Sequence, residues 1–217
     1  MRKKTVILIC ICFIMAVLLY VALRYQHTST KRLENQYDNE IQQIHSNIDQ
    51  DQDGIDDQID ILQGALDYVA SAPKYKSKYY QTGYSNDGYG VCTDVVANAL
   101  KNAGYDSMTL IQEDIKNNPN DYAIVEPDRY IDFRRVKNLE VYFSHTAIRL
   151  TTDISAIEEW QGGDIVIFQN HIGIISDRRN QNGVPYVIHH NDPFQKTYEQ
   201  DILEHRKDIV GHYRISE

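Results

Sequence analysis

The sequence GVCTDVVANAL, residues 90–100, brings a cysteine to the start of a pattern that is typical of an amphipathic helix. Its apolar face comprises Val95, Val96, Ala99, Leu100 and Ala103. Because the first turn of a helix has unpaired N–H groups and a partial positive charge, it favours a thiolate over a thiol at Cys92. We therefore expect a central helix that begins at a reactive Cys92. The alternative is that Cys92 is a small buried apolar residue, as most single cysteines are.

The N-terminal part of the chain contains an almost unbroken apolar run from Val6 to Leu23, long enough as a helix to cross about 30 Å of hydrocarbon. Such a run is either a membrane span or a signal peptide. No small-x-small cleavage site precedes Arg24, which favours an uncleaved membrane anchor over residues 1–24. The basic residues before the run would hold the N-terminus in the cytoplasm. We therefore expect a single-pass cell-membrane protein whose C-terminal domain is extracytoplasmic.

The composition limits the classes of partner. The chain has 217 residues, 42% hydrophobic and 24% charged, which suits one globular domain with appendages. Its net charge is -9, and no basic stripe or aromatic-interleaved cluster of Lys and Arg is present. The electrostatic signature of a phosphate-binding surface is therefore missing. We expect no nucleic-acid partner and no organic cofactor.

The distribution of the three cysteines favours a function for one of them. Cys10 and Cys12 lie inside the apolar run, so Cys92 is the single cysteine of the exported part. No disulfide can form within that part. A free thiol in an oxidising compartment is a liability unless it is buried or functional, and this strengthens the case for a reactive Cys92.

Two short segments connect the anchor to the main domain. Residues 25–48 are polar and weakly patterned, which predicts a stalk that holds the domain off the membrane. The sequence DQDQDGIDDQID, residues 49–60, has the spacing of a calcium loop, in which alternate oxygens converge on the ion and a glycine permits the sharp turn. The predicted ligands of a structural Ca²⁺ are Asp49, Asp51, Asp53, Ile55 (through its carbonyl), Asp57 and Asp60. The alternative is an acidic solvated linker.

The remaining residues, 61–217, read as helices followed by strands. Helices are expected from about Ile59 to Ala70, from Cys92 onward, and in two shorter stretches before residue 145. Strand-like runs rich in β-branched residues cover 163–168, 171–176, 185–190 and 209–215. This order predicts an α+β domain in which the cysteine helix packs on an antiparallel sheet. The arginines of the charged stretch 128–135 either line a cleft for an anionic substrate or, more simply, pair with surface acids.

A hairpin between the second and third of these strands would set His171 opposite either His189 or His190, with two imidazoles on one face. If the start of the cysteine helix lies against that edge, the parts of a thiol hydrolase are present. Cys92 would be the nucleophile, His171 the base, and the second histidine would hold the base in the useful tautomer. The amide of Cys92 and those preceding it would bind the oxyanion.

The runs Gly163-Asp164-apolar, His171-Ile-Gly and Ile188-His189 resemble signatures of NlpC-type, papain-like cell-wall cysteine peptidases. More closely, GVCTDVV at 90–96, DFRRV at 132–136 and GHYR at 211–214 resemble a bacterial family known as a domain of unknown function. This resemblance covers residues 62–216. It implies a papain-like (NlpC-type) domain with Cys92, His171 and His189 as the triad.

Three functions remain to be distinguished. The favoured one is a membrane-anchored cysteine peptidase or amidase that cleaves an amide bond, plausibly in peptidoglycan stem peptides or another amide substrate. The second is a catalytically silent, calcium-stabilised binding module at the cell surface. The third is a zinc site made of Cys92, His171 and a partner histidine, which no CxxC or HExxH spacing supports.

Overall fold

A computed structural model of the protein describes residues 2–217, with side chains described from residue 3. The α-helices are α1 (Arg2–Arg24), α2 (Asp57–Ala70), α3 (Cys92–Asn102), α4 (Ser107–Asn117) and α5 (Val136–Thr146). The strands are β1 (Lys74–Tyr75), β2 (Tyr89–Gly90), β3 (Ile148–Arg149), β4 (Ile165–Phe168), β5 (His171–Arg179), β6 (Pro185–Ile188), β7 (Glu199–Gln200) and β8 (Ile209–Arg214). Short 3₁₀ turns occur at Asp132–Arg134, Ile157–Glu159 and Leu203–His205. The helices thus precede most of the strands, as expected.

The first helix, α1, is apolar along nearly its whole length. Its segment Lys3–Arg24 has a mean hydropathy of 3.2 over its most apolar window, and none of that window is buried against the rest of the protein. The helix is therefore long and apolar enough to span a membrane, which agrees with a single-pass anchor.

Six strands form one antiparallel sheet in the order β3-β8-β4-β5-β6-β7. The strands β4 and β5 make a tight hairpin in which Phe168 pairs with His171. β1 and β2 form a separate two-stranded parallel sheet, and β2 ends two residues before Cys92. The predicted mixed α+β architecture with an antiparallel sheet is therefore confirmed.

The core lies between the sheet and the helices. Side chains of α2 and α3 pack against each other and against the inward-facing residues of β5, such as Ile172 and Ile174. The other face of the sheet buries a smaller cluster around Trp160 and Phe168. Because the sheet is covered on both faces, its central strands read as continuous apolar runs rather than alternating ones. This packing fixes the start of α3 against one end of β5.

Residues 25–48, which we name the N-terminal strap, lie along the domain rather than standing free. Ser29 makes a parallel bridge with Thr197, and the Gln26 amide donates to the Pro193 carbonyl at 2.7 Å. Further along, the guanidinium of Arg32 binds the buried carboxylate of Glu199 at 2.8 Å.

The rest of the strap continues around the domain. The amide of Gln36 donates to the carbonyl of Arg179, and Ser46 bonds to Ser216 at 2.7 Å. The expectation of a stalk that holds the domain off the membrane is therefore wrong. Its polar residues form hydrogen bonds with the edge and the ends of the sheet, so the segment is not a free spacer surrounded by water.

Candidate active site and acidic loop

The start of α3 is held by a buried ion pair. The carboxylate of Asp94 accepts from the Val91 amide at 2.8 Å, which caps the first turn of the helix. The same carboxylate binds the guanidinium of Arg134 with two hydrogen bonds, of 2.8 and 2.9 Å, and both side chains are almost fully buried. Arg134 also donates to the Lys78 carbonyl at 2.7 Å. A rigid, bidentate clamp therefore sets the position of Cys92.

This clamp corrects the expectation for the charged stretch. Arg134 neither lines a cleft nor pairs at the surface, because its partner Asp94 is itself 1% exposed. The neighbouring Arg135 does pair near the surface, with Asp132 at 3.3 Å. The sequence motif gave no signal that distinguished these two arginines, since both follow the same aromatic residue.

His171 and His189 form a buried imidazole pair. Nε2 of His171 lies 2.8 Å from Nδ1 of His189, with the rings at 82°. In the sheet, Ile174 pairs with Ile188, and continuing that register places His171 level with Asn191. The contact with His189 is therefore diagonal rather than directly opposite. Of the two histidines that the sequence left open, His189 is the one that contacts His171.

His190 occupies a different environment. Its ring packs edge-on against Tyr75 and Tyr198, with centroids 5.3 and 5.1 Å away. The residue is 1% exposed, and neither ring nitrogen has a hydrogen-bond partner among the residues that the structure describes. Burying a polar group without a hydrogen-bond partner costs free energy, so such groups are rare in folded proteins.

The thiol of Cys92 lies against the backbone of β5. The backbone N–H groups of Ile172, the residue after His171, and of Thr93 act on the sulfur. Tyr75 is an electrostatic neighbour, since burial and then the charge of Cys92 raise the pKa of its phenol. Within residues 2–217, however, no hydrogen bond joins the thiol to any imidazole. The three predicted catalytic residues thus share one end of β5, but only the two histidines touch.

Burial dominates the protonation states at this site. It raises the pKa of the Cys92 thiol to about 11, and the N–H groups of Ile172 and Thr93 lower it by less. Burial, followed by the charge of Arg206, lowers the pKa of His171 to about 4. The pKa of His189 is lowered too, by burial and then by His171. At neutral pH the site therefore holds a thiol and neutral imidazoles, so the expected resting thiolate is wrong.

Several residues that support the site gave no sequence signal. The side chain of Gln195 donates to the His189 carbonyl at 2.9 Å and to the Thr197 carbonyl at 2.8 Å, which fixes the loop after β6. The guanidinium of Arg206 lies 4.2 Å from the ring of Phe168, which in turn stacks on His171. These contacts join distant parts of the chain, so no local pattern could predict them.

A groove of about 480 Å³ lies close to the start of α3, although Cys92 is not among its lining residues. Its lining residues are Tyr25, Gln26, His27, Lys74, Tyr75, Lys76 and Tyr89. Tyr75 contacts His190, and Tyr89 lies three residues before Cys92. The groove combines two lysines with three tyrosines, so it offers cationic and aromatic contacts on a chain whose net charge is -9.

The acidic loop forms a compact cluster. Ligand oxygens of Asp49, Asp51 and Asp53 lie within 4.8 Å of one another. Asp60 is 3% exposed, and its Oδ2 is buried without a hydrogen-bond partner in the described part of the chain. Burial, followed by the charges of the three loop aspartates, raises the pKa of the Asp60 carboxyl to about 6. Three carboxylates therefore converge, and the charges of this cluster act on Asp60, whose Oδ2 has no hydrogen bond.

Asp57, also a predicted ligand, makes other contacts. Its carboxylate accepts from the Gln50 amide at 2.9 Å and from the Ser216 hydroxyl at 3.0 Å, and it also binds the hydroxyl of Tyr105. These contacts tie the loop to the segment after α3 and to the C-terminal end of the sheet. They leave the side chain of Asp57 with fewer free lone pairs than those of the other loop aspartates.

A second buried polar cluster involves the other family motifs. Asp164 accepts from Nε and Nη2 of Arg214 at 2.8 and 2.9 Å, and its Oδ2 lies 3.0 Å from Nε2 of His212. Gln58 and the Gln161 amide complete its shell. The GD and GHYR motifs therefore build a buried network away from Cys92.

Comparison with known proteins identifies the family but no activity. The chain is 36% identical over 168 residues to the "Uncharacterized protein YijF" of Escherichia coli (strain K12), which covers 71% of this chain and 80% of that protein. No solved structure matches the chain. Residues 62–215 match the model of a family described as "Domain of unknown function (DUF1287)". Since this match spans most of the chain, the protein belongs to the DUF1287 family.

Proposed function

We propose that the protein is a membrane-anchored, extracytoplasmic cysteine hydrolase that cleaves an amide bond. Cys92 is the nucleophile, His171 the general base, and His189 the residue that orients the base. The observation that carries the proposal is the buried His171–His189 pair, 2.8 Å apart, one residue from the amide that faces the Cys92 sulfur. The resemblance to NlpC-type peptidases, carried by the runs that contain Asp164, His171 and His189, adds to it.

The protonation states permit a general-base mechanism, although a base with a pKa of about 4 is a weak one at neutral pH. A His171 pKa of about 4 leaves the imidazole neutral and able to accept a proton at neutral pH. If His171 Nε2–H donates to His189 Nδ1, then Nδ1 of His171 is the basic nitrogen. Because burial holds Cys92 as a thiol, His171 must take the proton as the sulfur attacks the carbonyl carbon. Substrate binding must bring the two side chains into hydrogen-bond contact, as in many enzymes whose free state is loosely aligned.

The remaining steps follow from the same groups. The carbonyl π electrons move to oxygen as the C–S bond forms. The C–N bond then breaks, and His171 returns the proton to the leaving amine. Water, deprotonated by His171, hydrolyses the resulting thioester and releases the acid. The Val91 amide is occupied by Asp94, so among the amides expected at the oxyanion, that of Cys92 is available.

The groove beside Cys92 favours an acidic peptide as substrate. Lys74 and Lys76 lie along it, and aromatic rings flank them. A carboxylate of the substrate would pair with these lysines, and this charge pattern agrees with a cell-wall peptide as the amide substrate.

Substitution at the nucleophile tests the proposal. In the full-length protein, Cys92→Ala should abolish hydrolysis of cell-wall peptide fragments, a loss on the order of 10³-fold or more. The matched control is Cys12→Ser, which removes a thiol of the anchor and should leave the rate unchanged. Unchanged hydrolysis by Cys92→Ala at a normal melting temperature would falsify the proposal.

Two further variants identify the base. His171→Ala should reduce hydrolysis as strongly as Cys92→Ala, whereas His190→Ala should retain most activity. The opposite ranking would assign the base to His190, which lies on the Tyr75 side of the cysteine. Hydrolysis is measured by release of free amine, and circular dichroism checks that each variant is folded.

Titration of the thiol tests the proposed protonation state. Ultraviolet thiolate absorbance, measured as the difference between native protein and Cys92→Ala, should rise with a midpoint near pH 11, compared with about 8.5 for an ordinary cysteine. A midpoint well below 8.5 would instead indicate a thiolate–imidazolium pair, and the general-base step would have to be abandoned.

One observation favours a second candidate, the silent calcium-stabilised binding module. A thiol held protonated, with no hydrogen bond to an imidazole, is what a relic site would contain. In that case, binding of wall fragments would survive Cys92→Ala and no bond would be cleaved. For zinc, the support is weaker, because in the described part of the chain the one group of three potential ligands within 4.8 Å is acidic and excludes Cys92.

A further inference from the structure

We propose that Asp49, Asp51, Asp53, the Ile55 carbonyl and Asp60 bind one Ca²⁺, and that this ion fixes the C-terminal end of the cysteine helix. The donor set is four carboxylates and one carbonyl, all hard oxygens, and water completes a shell of six to eight. The ligand set omits Asp57, whose oxygens are already used.

The observation that points to an ion is the state of Asp60. The residue is 3% exposed, its Oδ2 lacks a hydrogen-bond partner among the described residues, and the charges of Asp53, Asp51 and Asp49 act on its carboxylate. A buried carboxylate without a partner is strongly unfavourable, and like charges around it add to the cost. A divalent cation at the centre of the cluster removes both penalties. If the segment were only an acidic linker that binds no ion, both penalties would remain.

The loop is also docked onto α3, which gives the ion its structural consequence. A Cβ built on Gly104, just after α3, would lie 2.9 Å from Cβ of Asp51, so the loop and the helix end are in close contact. The side chain of Asn102, the last residue of α3, donates to the Asp60 carbonyl at 3.1 Å. Ordering of the loop by calcium therefore fixes the end of the helix that begins at Cys92.

Calorimetry on the full-length protein in detergent, after chelator treatment, tests the site. CaCl₂ should bind in a 1:1 ratio and raise the melting temperature. Asp60→Asn should weaken binding by on the order of 10-fold or more, and should raise the melting temperature of the calcium-free protein, since it removes an unpartnered charge. The matched control is Asp67→Asn, an exposed position on the same helix that should behave like the native protein.

Two results would overturn the calcium site. One is a native protein whose melting temperature and calorimetric trace are indifferent to both chelator and millimolar calcium. The other is Asp60→Asn protein that binds calcium as tightly as the native protein. The first result applies even if the variant does not fold, so the proposal can fail on the native chain alone.

A second inference comes from the strap and rests on the proposed hydrolase function. We infer that the groove beside Cys92 opens at the membrane surface and that its substrates are amides held there. The helix α1 ends at Arg24, and the side chain of Gln26 makes two hydrogen bonds with the Tyr75 backbone, at 2.6 and 2.8 Å. Two residues of chain span at most about 7 Å, so Tyr75 lies close to the end of the anchor.

The surface around this point suits a lipid interface. Tyr25 and Phe194 are both exposed and pack edge to face, with centroids 5.5 Å apart. Aromatic residues of this kind are enriched where protein meets lipid headgroups. Lys74 and Lys76 add positive charge on the same side, which anionic headgroups attract.

Site-specific fluorescence quenching in vesicles tests the placement without relying on hydrolysis. The full chain, with its three cysteines changed to serine, receives one new cysteine by Ser77→Cys or, as the control, Asp121→Cys. Both positions are exposed, and Asp121 borders a cavity with Tyr213 of β8, toward the opposite edge of the sheet. Each protein is labelled and reconstituted in phosphatidylcholine–phosphatidylglycerol vesicles that contain headgroup spin-labelled lipid.

The label at position 77 should be quenched several-fold more than the label at 121. Equal quenching at the two positions would overturn the inference. Because these proteins lack Cys92, that outcome would leave the hydrolase proposal intact. Conversely, strong quenching at 77 together with full activity of Cys92→Ala would reject the hydrolase and its substrate class while keeping the membrane-proximal groove.

Discussion

The sheet contains two buried histidine clusters that differ in how well their polar atoms are satisfied. In the first, Nδ1 of His212 lies 2.7 Å from the Thr151 carbonyl and Nε2 lies 3.0 Å from Asp164, while the ring stacks on Trp160 at 3.8 Å. Every polar atom of this imidazole has a partner. Such a network specifies and stabilises one arrangement of the core.

The second cluster is incomplete. His171 and His189 contact each other, but both nitrogens of His190 are buried without a partner in the described chain. Such groups are rare in folded proteins, and each of them calls for an explanation. The comparison shows that burial alone does not tell a stabilising histidine from a functional one. What distinguishes a stabilising cluster from a functional one is whether its hydrogen bonds are completed within the protein.

The largest effect that would sharpen this comparison is expected at Asp164. Asp164→Asn should lower the free energy of unfolding by about 3–5 kcal/mol, because Arg214 is left buried without its counter-charge. Urea unfolding followed by the fluorescence of Trp160, the single tryptophan, measures it. The control is Asp38→Asn at an exposed site. A loss below about 1 kcal/mol would mean that the satisfied cluster is not a stabilising one.

The next effect, counted for each histidine, is a loss of stability in acid. The folded-state pKa values of His171 and His190 are lowered from 6.5 to about 4 by burial. The unfolded chain binds protons near pH 6.5, but the folded chain does not until about pH 4. Stability is therefore complete above pH 6.5 and falls as the pH decreases, by roughly 1.4 kcal/mol per pH unit for each histidine.

Urea unfolding of the native protein and of His190→Phe, carried out at several pH values below 6.5, measures the contribution of His190 to this loss. The free energy of unfolding should depend more steeply on pH in the native protein than in His190→Phe, and the difference should equal the contribution of one histidine. Parallel slopes in the two proteins would show that His190 binds its proton at the same pH in the folded and the unfolded chain, contrary to its assigned environment.

The smallest effect is expected from His190→Phe at neutral pH. An apolar ring of similar shape removes two unpartnered nitrogens, so the free energy of unfolding should change by less than about 1 kcal/mol or increase. By contrast, His212→Phe leaves Asp164 and the Thr151 carbonyl without a partner and should cost about 1–3 kcal/mol. Equal losses in these matched variants would contradict the distinction between the two clusters.

Local patterns predicted most of the elements correctly. The β-branched runs at 163–168, 171–176 and 185–190 became three adjacent strands, and the helix that begins at Cys92 is where its apolar periodicity put it. These features depend on the period of buried side chains, which a sequence displays directly. Local spacing also placed one of His189 and His190 near His171, but the register that selects His189 did not follow from it.

Long-range partners could not be predicted in this way. Charged Arg134 looked like a surface residue because nothing near it in sequence reveals Asp94, 40 residues away. The Cys92 pKa was misjudged for a related reason, since the helix dipole is a local property and the depth of burial is not. The strap looked like a spacer because many of its hydrogen-bond partners, such as Glu199 and Ser216, lie far away in the chain.

The strap also constrains the order of folding. Arg32 pairs with Glu199 across 167 residues, and its backbone neighbour Leu33 bonds to the same carboxylate at 2.7 Å. During synthesis, Arg32 and Leu33 are made long before their partner in β7, whereas Gln26 finds its partner at Tyr75 much earlier. Closing so long a loop is slow, so the bonds between the strap and β7 form only when nearly the whole chain has been synthesised.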